Sequence, residues 1–119
     1  MKNNSIRIIS QAFYGNRTAT EVSKENIDRF ILGVLEEGIS IEKPIDRTVV
    51  KIPNTENLVI VYNKFEEENR SDKSKPLAII PEENLEVYSR CIVCRISDDG
   101  ELESLERGDY EKFVKYLAE

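Results

Sequence analysis

The sequence predicts an α+β fold, a mainly antiparallel sheet of five or six strands with one long amphipathic helix and a short C-terminal helix. Short segments in which apolar residues alternate with period two recur along the chain, and one segment between them has the 3.6-residue period of a helix. With 119 residues, no internal repeat and no long linker, residues 1–119 are expected to form a single domain.

The first part of the chain predicts a β-hairpin followed by the long helix. Ser5–Phe13 alternates as a strand, and the turn residues after it lead to a partner strand at Thr18–Val22. Ser23 is placed to cap the helix, whose apolar residues recur at i, i+3, i+4, i+7 and i+8 from Ile27. We expect Gly38 to end this helix after about four turns.

The middle of the chain predicts strands and one acidic loop. Ile39–Glu42 indicates a weak strand and Arg47–Ile52 a stronger one. Leu58–Tyr62 is apolar on both faces, which predicts a central strand covered by a helix, a second sheet or a partner chain. In so small a chain, this favours a homo-oligomer over a monomer. Glu66–Pro76 has the composition of a solvated loop and is a candidate lid.

The last part of the chain is expected to complete the sheet. Leu77–Ile80 predicts a further strand, and Glu86–Gly100 predicts a long core strand that ends in an Asp-Asp-Gly turn. Asp109 is placed to cap the C-terminal helix, and Leu117 completes its apolar face after about three turns. We expect this helix to close the end of the sheet opposite the long helix.

Composition excludes several classes of function. A net charge of −6 argues against binding extended nucleic acid or an anionic membrane surface. The first apolar run is too short for a secretion signal or a membrane span, so the cytoplasm of the host cell is the expected location. The chain has no histidine, no phosphate-binding glycine loop and no nucleophile elbow. We therefore expect neither an enzyme nor a cofactor.

The two cysteines match a C-x-x-C spacing but not a metal site. Zinc needs four ligands, and the sequence has no cysteines besides Cys91 and Cys94. In a strand, positions i and i+3 point to opposite faces, so the two thiols cannot converge on one ion. Asp98–Glu101 lacks the ligand spacing of a calcium loop and predicts a turn. The cysteines are expected to pack in the core, and no metal is expected.

Arginines near aromatic residues are the remaining candidate site. By strand alternation Arg90 shares a side with Tyr88 and apolar residues, and Arg95 lies on the other side. Both arginines could simply pair with carboxylates. Alternatively, Arg90 and Arg107 line a pocket with Phe65 or Tyr88 for a small phosphorylated ligand, because a guanidinium grips phosphate while an aromatic ring stacks on a base.

A second, weaker anion site is suggested by two further arginines. Arg17 lies in the predicted first hairpin, and Arg47 lies beside another predicted turn. The same guanidinium chemistry would suit them to an anion. The candidate ligand-binding residues are therefore Phe65, Tyr88, Arg90, Arg107, Arg17 and Arg47.

Three residues follow one another in a particular order: an aromatic residue, Phe65, then an arginine beside a core strand, Arg90, and an arginine before the last helix, Arg107. This order resembles the phage anti-Thoeris sponge family. Its members are α/β oligomers that sequester cyclic ADP-ribose-type immune signals without cleaving them, and some hold cyclic oligonucleotides at separate sites. The resemblance implies that Phe65 stacks on a base and that the two arginines hold the diphosphate. Tyr62 or Tyr88 could equally be the aromatic residue.

The segment Ile96–Leu105 is also similar to a small domain of unknown function that is common in phages and mobile elements, which implies a mobile-element origin. The leading hypothesis is a non-enzymatic phage-type anti-defence protein that sequesters a cyclic ADP-ribose-type or cyclic oligonucleotide signal. The alternative is an acidic inhibitor that uses Glu66–Glu68 and Glu82–Glu83 to mimic nucleic acid or occupy a basic cleft on a host protein. A hydrolase acting through carboxylates is a third possibility.

Overall fold

Within the described residues, six strands form one antiparallel sheet and two more form a small sheet on one of its faces. The computed structural model describes residues 4–13, 16–36, 46–69 and 75–118. Its strands are β1 Ser5–Phe13, β2 Asn16–Ser23, β3 Arg47–Lys51, β4 Leu58–Asn63, β5 Ala78–Ile80, β6 Leu85–Val87, β7 Cys91–Ile96 and β8 Leu102–Glu103. Its helices are α1 Ile27–Glu36, α2 Lys64–Asn69 and α3 Asp109–Val114. The predicted fold class is confirmed.

The strands of the main sheet run in the order β2-β1-β7-β4-β3, with β8 paired to the end of β7. Every neighbouring pair is antiparallel. The strands predicted at Ser5–Phe13, Arg47–Ile52 and Leu58–Tyr62 are confirmed. The predicted strand Ile39–Glu42 and the predicted helix end at Gly38 lie outside the described residues.

An apolar core lies on each face of the sheet, because β4 and β7 alternate apolar side chains to both sides. The α1 core consists of Ile6, Ile8, Val22, Ile27, Ile31, Leu35, Val59, Val61, Ile92, Cys94 and Leu102. The core under the small sheet, which we call the small-sheet core, consists of Ile52, Leu58, Ile60, Tyr62, Leu77, Ala78, Ile80, Val87, Cys91, Val93, Phe113 and Tyr116. The chain itself therefore covers both faces of β4, and no partner chain is needed to explain its apolar pattern.

The two cysteines lie in different cores, as strand alternation predicts. Cys91 belongs to the small-sheet core and Cys94 to the α1 core, and both are free and fully buried. Burial raises the pKa of the Cys91 thiol well above its usual range and that of Cys94 to about 12. Their predicted role in core packing is confirmed.

The long helix begins through a short 3₁₀ turn. Ser23 Oγ accepts a hydrogen bond from the N–H of Glu25 at 3.2 Å, and the 3₁₀ turn Lys24–Asn26 leads directly into α1. The capping role predicted for Ser23 is confirmed at this turn. The α-helical part that the structure describes, Ile27–Glu36, has 10 residues. None of the helices in the described residues has the length and apolarity to span a membrane.

The predicted strand Glu86–Gly100 is two strands in different sheets. Among the residues that the structure describes, β6 pairs with β5 in the small sheet, whereas β7 lies at the centre of the main sheet. The predicted return of Leu77–Ile80 to the main sheet is therefore wrong. Tyr88 and Arg90 lie in the connection between β6 and β7, so strand alternation does not set their sides.

The C-terminal helix is shorter than predicted and is fixed in a different way. α3 has six residues, and its N-cap is Gly108, which has a φ of 87°. Asp109 is the first helical residue, and its carboxylate lies 3.0 Å from Arg95 Nη1 and accepts the N–H of Glu106 at 2.8 Å. The hydrogen bond that Arg95 donates to Asp109 raises the pKa of Arg95. The predicted cap at Asp109 is wrong, and the pairing of Arg95 with a carboxylate is confirmed.

Candidate functional site

A buried glutamate joins α2 to the connection between β6 and β7. Glu67 Oε1 accepts the N–H of Tyr88 at 2.6 Å, and Oε2 accepts the N–H of Ser89 at 2.7 Å and the hydroxyl of the same serine. Glu67 is only 8% exposed. A carboxylate that accepts three hydrogen bonds satisfies backbone groups that the end of β6 leaves unpaired. The start of the predicted loop Glu66–Pro76 is thus helical and partly buried, and residues 70–74 lie outside the described residues.

Asn63 fixes the start of α2. Its Oδ1 accepts the N–H of Asp46 at 2.8 Å and that of Phe65 at 3.1 Å. The N–H of Lys64 donates to the carbonyl of Asp46 at 2.8 Å. These bonds tie the residue before β3 to the junction of β4 and α2. They place Phe65, which is half-buried, beside the end of β4.

A cleft of about 670 Å³ lies between α2 and the small sheet, and we call it the acidic cleft. Its walls are Tyr62, Lys64, Glu67, Glu68, Ile79, Pro81, Asn84, Leu85, Glu86 and Tyr88. The volume is typical of a site for a small molecule or for one or two protruding side chains. The cleft is thus large enough to bind a ligand.

The charges of the acidic cleft favour a cationic ligand. Glu67, Glu68 and Glu86 contribute three carboxylates against the single ammonium group of Lys64. Tyr88 donates its hydroxyl to Glu86 Oε1 at 2.9 Å, so its ring lies beside a carboxylate. Aromatic faces and carboxylates together suit an ammonium or guanidinium group and repel a phosphate.

Tyr62 remains a neutral hydrogen-bond donor in this cleft. Burial raises the pKa of Tyr62, and the nearby carboxylates of Glu67, Glu68 and Asp46 raise it further. Both causes disfavour a phenolate, because the anion would lie in a poorly solvated place next to negative charge. The hydroxyl therefore stays protonated well above neutral pH.

A second cleft of about 480 Å³ lies on the other side of Ile79 and Pro81, which line both clefts. Its remaining walls are Glu82, Lys115, Tyr116, Leu117 and Ala118. The exposed 3₁₀ turn Pro81–Glu83 separates the two clefts. We call the exposed carboxylates around them, which belong to Glu68, Glu82, Glu83 and Glu86, the acidic surface.

Three of the predicted ligand-binding residues come together at the α2 end of the main sheet. Phe65 lies on α2, and Glu67 of the same helix binds the backbone of Tyr88. Arg90 follows two residues later, immediately before β7, and is half-buried. Of these residues, only Tyr88 lines the acidic cleft.

Arg107 lies at a different place in the fold. It is exposed in the turn before α3, and the bond between Arg95 and Asp109 holds that turn near the far end of β7. Five residues of strand separate Arg90 from Arg95, a distance of about 17 Å. One chain therefore does not bring Arg90 and Arg107 together around a single diphosphate.

Arg17 contacts the C-terminal helix α3. The Cζ atom of Arg17 is 4.5 Å from the centre of the Tyr110 ring, a cation–π contact between β2 and α3. Tyr110 donates its hydroxyl to Gln11 Oε1, which fixes the ring against β1. This contact places one arginine beside an aromatic ring.

Arg47 lies on the opposite edge of the sheet from Arg17. Its Nη1 is 2.5 Å from Asp28 Oδ1 on α1, in a small cleft of about 300 Å³. Four strand spacings separate β2 from β3, which amounts to about 19 Å. The suggested anion site from Arg17 and Arg47 is therefore not assembled within one chain.

Sequence reasoning missed Glu67, whose carboxylate organises the acidic cleft. Three consecutive glutamates have the composition of a solvated loop, and six residues are too few to show a helical period. Its partners lie 21 and 22 residues further along the chain. Nothing in the local sequence indicates those contacts.

Comparison of the chain with protein-family models, curated proteins and solved structures gives no match. Across the part of the chain that the structure describes, His, Cys, Asp and Glu side chains form no group of three that could hold a metal ion. Any function must therefore be proposed from the clefts and the charges around them.

We expect Glu67→Gln to lower the free energy of unfolding by about 2 kcal/mol, because one amide oxygen replaces two acceptors and the amide N–H groups face other donors. Urea denaturation followed by circular dichroism measures the change. The matched control is Glu68→Gln, which alters an exposed neighbour and should shift stability by no more than about 0.5 kcal/mol. Equal shifts for the two variants would show that Glu67 does not organise this region.

Proposed function

We propose that the protein is a non-enzymatic binding protein that uses its acidic surface and acidic cleft to engage a basic region of a partner protein. The observation that carries this proposal is the composition of the acidic cleft, three carboxylates and two tyrosine rings against one lysine. An inhibitor that covers a basic site on another protein is the function class that this chemistry suits.

The shape of the acidic surface supports the same function. Glu82 and Glu83 lie on an exposed turn, and Pro81 of the same turn lines both clefts. An exposed acidic turn can enter a basic groove while the acidic cleft beside it accepts a protruding lysine or arginine side chain. Exposed charges of one sign also speed association with an oppositely charged partner.

Binding of a basic probe tests this proposal. Oligolysine of about twenty residues is titrated into the full chain by calorimetry at low and at physiological salt. The test variant reverses three charges of the acidic surface and should bind at least about tenfold more weakly, because it places ammonium groups where the probe binds. Its substitutions are Glu68→Lys, Glu82→Lys and Glu83→Lys.

The control variant has the same net charge but reverses exposed carboxylates elsewhere. Its substitutions are Glu25→Lys, Glu56→Lys and Glu111→Lys. We expect this variant to keep most of the affinity of the wild-type chain. Equal losses in the two variants would mean that the probe responds only to net charge, and the proposed surface would be rejected.

The second candidate is the sponge for a cyclic ADP-ribose-type or cyclic oligonucleotide signal, with a place in phage anti-defence as the sequence resemblance implies. The observation that favours it is the contact in which the guanidinium group of Arg17 lies over the ring of Tyr110. A guanidinium group beside an aromatic ring suits a phosphorylated nucleotide, and the sequence resemblance implies that Arg107 contributes a second one. In this candidate, Phe65, Tyr88 and Arg90 would bind a ligand at a separate place.

Calorimetry with a cyclic ADP-ribose isomer and with a cyclic dinucleotide tests the second candidate. Arg107→Ala and Arg90→Ala are each expected to weaken binding about tenfold or more through loss of charge-assisted bonds to phosphate. Arg29→Ala, which removes an exposed arginine from α1, is the control and should bind like the wild-type chain. Recovery of intact ligand after denaturation would distinguish a sponge from a hydrolase. Unchanged binding in Arg107→Ala and Arg90→Ala would show that these two arginines do not bind the ligand.

A further inference from the structure

The strand β2 is an outer strand of the main sheet. Within the described residues it pairs only with β1, over eight residues, and five of these eight are exposed. β2 contains no proline, lysine or glycine, the residues that commonly prevent strands from pairing at an edge. Its outward backbone groups are therefore available to another strand.

Hydrogen bonds around β1 show which groups of β2 point outward. The backbone N–H of Arg7 donates to Ser104 Oγ at 2.8 Å, and its backbone carbonyl accepts from the N–H of Leu105 at 2.9 Å. The backbone of Arg7 is therefore not hydrogen-bonded to that of Glu21, the residue opposite it on β2. Bonded and non-bonded pairs alternate along an antiparallel ladder. The outward N–H and C=O groups therefore belong to Arg17, Ala19 and Glu21.

These three residues are self-complementary about a two-fold axis. If two copies of β2 run antiparallel with the axis at Ala19, each outward group finds a partner, giving about six backbone hydrogen bonds. In the same register Arg17 lies opposite Glu21 of the second copy, and this ion pair occurs twice. On the other face of the strand, Thr18 lies opposite Thr20, a favourable cross-strand pair.

The side chain of Glu21 is available for a further ion pair, and that of Arg17 also contacts the Tyr110 ring of its own chain at 4.5 Å. Arg17 and Glu21 lie on the same face of β2, since they stand opposite Gln11 and Arg7 of β1 and are four residues apart. The side chain of Glu21 is 58% exposed, and its contact with Arg7 is a loose one of 3.8 Å. It can therefore bind an arginine from a second copy without losing a buried bond.

The opposite edge of the sheet has the reverse charge pattern. β3 is the five-residue strand Arg47–Lys51, and an antiparallel copy centred on Val49 would place Arg47 opposite Lys51. Like charges directly opposite each other destabilise a strand pair. Self-pairing is thus favoured at β2 and disfavoured at β3.

We propose that two copies of this chain pair through β2, antiparallel about an axis at Ala19, so that their main sheets form one continuous sheet. The interface is isologous and closes on itself, which gives a dimer and not a fibre. It requires neither β4 nor the acidic cleft, and it does not depend on the ligand proposed above.

Sedimentation of the full chain over a range of concentrations, with charge-swap variants, tests the dimer. Arg17→Glu and Glu21→Arg should each weaken dimerisation about tenfold or more, because each puts two like-charge pairs into the interface. The double variant restores opposite charges and should recover most of the wild-type affinity. Arg29→Glu, with the same charge change on the exposed face of α1, should leave the dimer unchanged.

A second variant removes the backbone contact at the axis. Ala19→Pro deletes an outward N–H without deleting a bond between β1 and β2, as proline is tolerated at that position of an edge strand. It should give a folded monomer by sedimentation and circular dichroism, and it should still bind oligolysine if the acidic surface acts alone. A wild-type chain that is monomeric at about 100 µM, or a dimer that survives both Ala19→Pro and Arg17→Glu, overturns the proposal.

Discussion

The double burial of β4 and β7 is the constraint on which the rest of this structure depends. All six residues of β4 are buried, and the first four of β7 alternate between two apolar cores. A strand pair that is apolar on both faces must be covered twice, since exposed apolar area costs about 25 cal/mol per Å². α1 provides one cover, and the small sheet with α3 provides the other, so a chain of this length completes its own layers.

The candidate binding surface follows from that arrangement. The chain must leave the small sheet at β6 and enter the main sheet at β7, and the connection between them has backbone groups with no strand partner. Glu67 satisfies these groups, and its helix forms one wall of the acidic cleft while the small sheet forms the other. The proposed surface thus lies where one covering layer meets the end of the main sheet, and its acidic character comes from side chains that the core does not use.

Much of the fold was predictable from β1, α1, β3 and β4. The apolar residues of each recur with the period expected of an element that is buried on one face or on both. The break between β6 and β7 was not predictable, because both segments alternate and only the contact with Glu67 separates them. The site was predicted less well, since the partners of an arginine are set by tertiary contacts. Arg95 pairs with Asp109, 14 residues away, and Arg107 lies far from Arg90.

The most direct test of double burial is the reactivity of the two thiols, one in each core. Cys91→Ala and Cys94→Ala leave a single cysteine each, and an aromatic disulfide reagent at pH 8 then reports each core separately. Because burial raises both pKa values, that of Cys94 to about 12, we expect negligible labelling of folded protein, with each variant labelled no faster than it unfolds. Rapid labelling of either thiol without unfolding would contradict a strand buried on both faces.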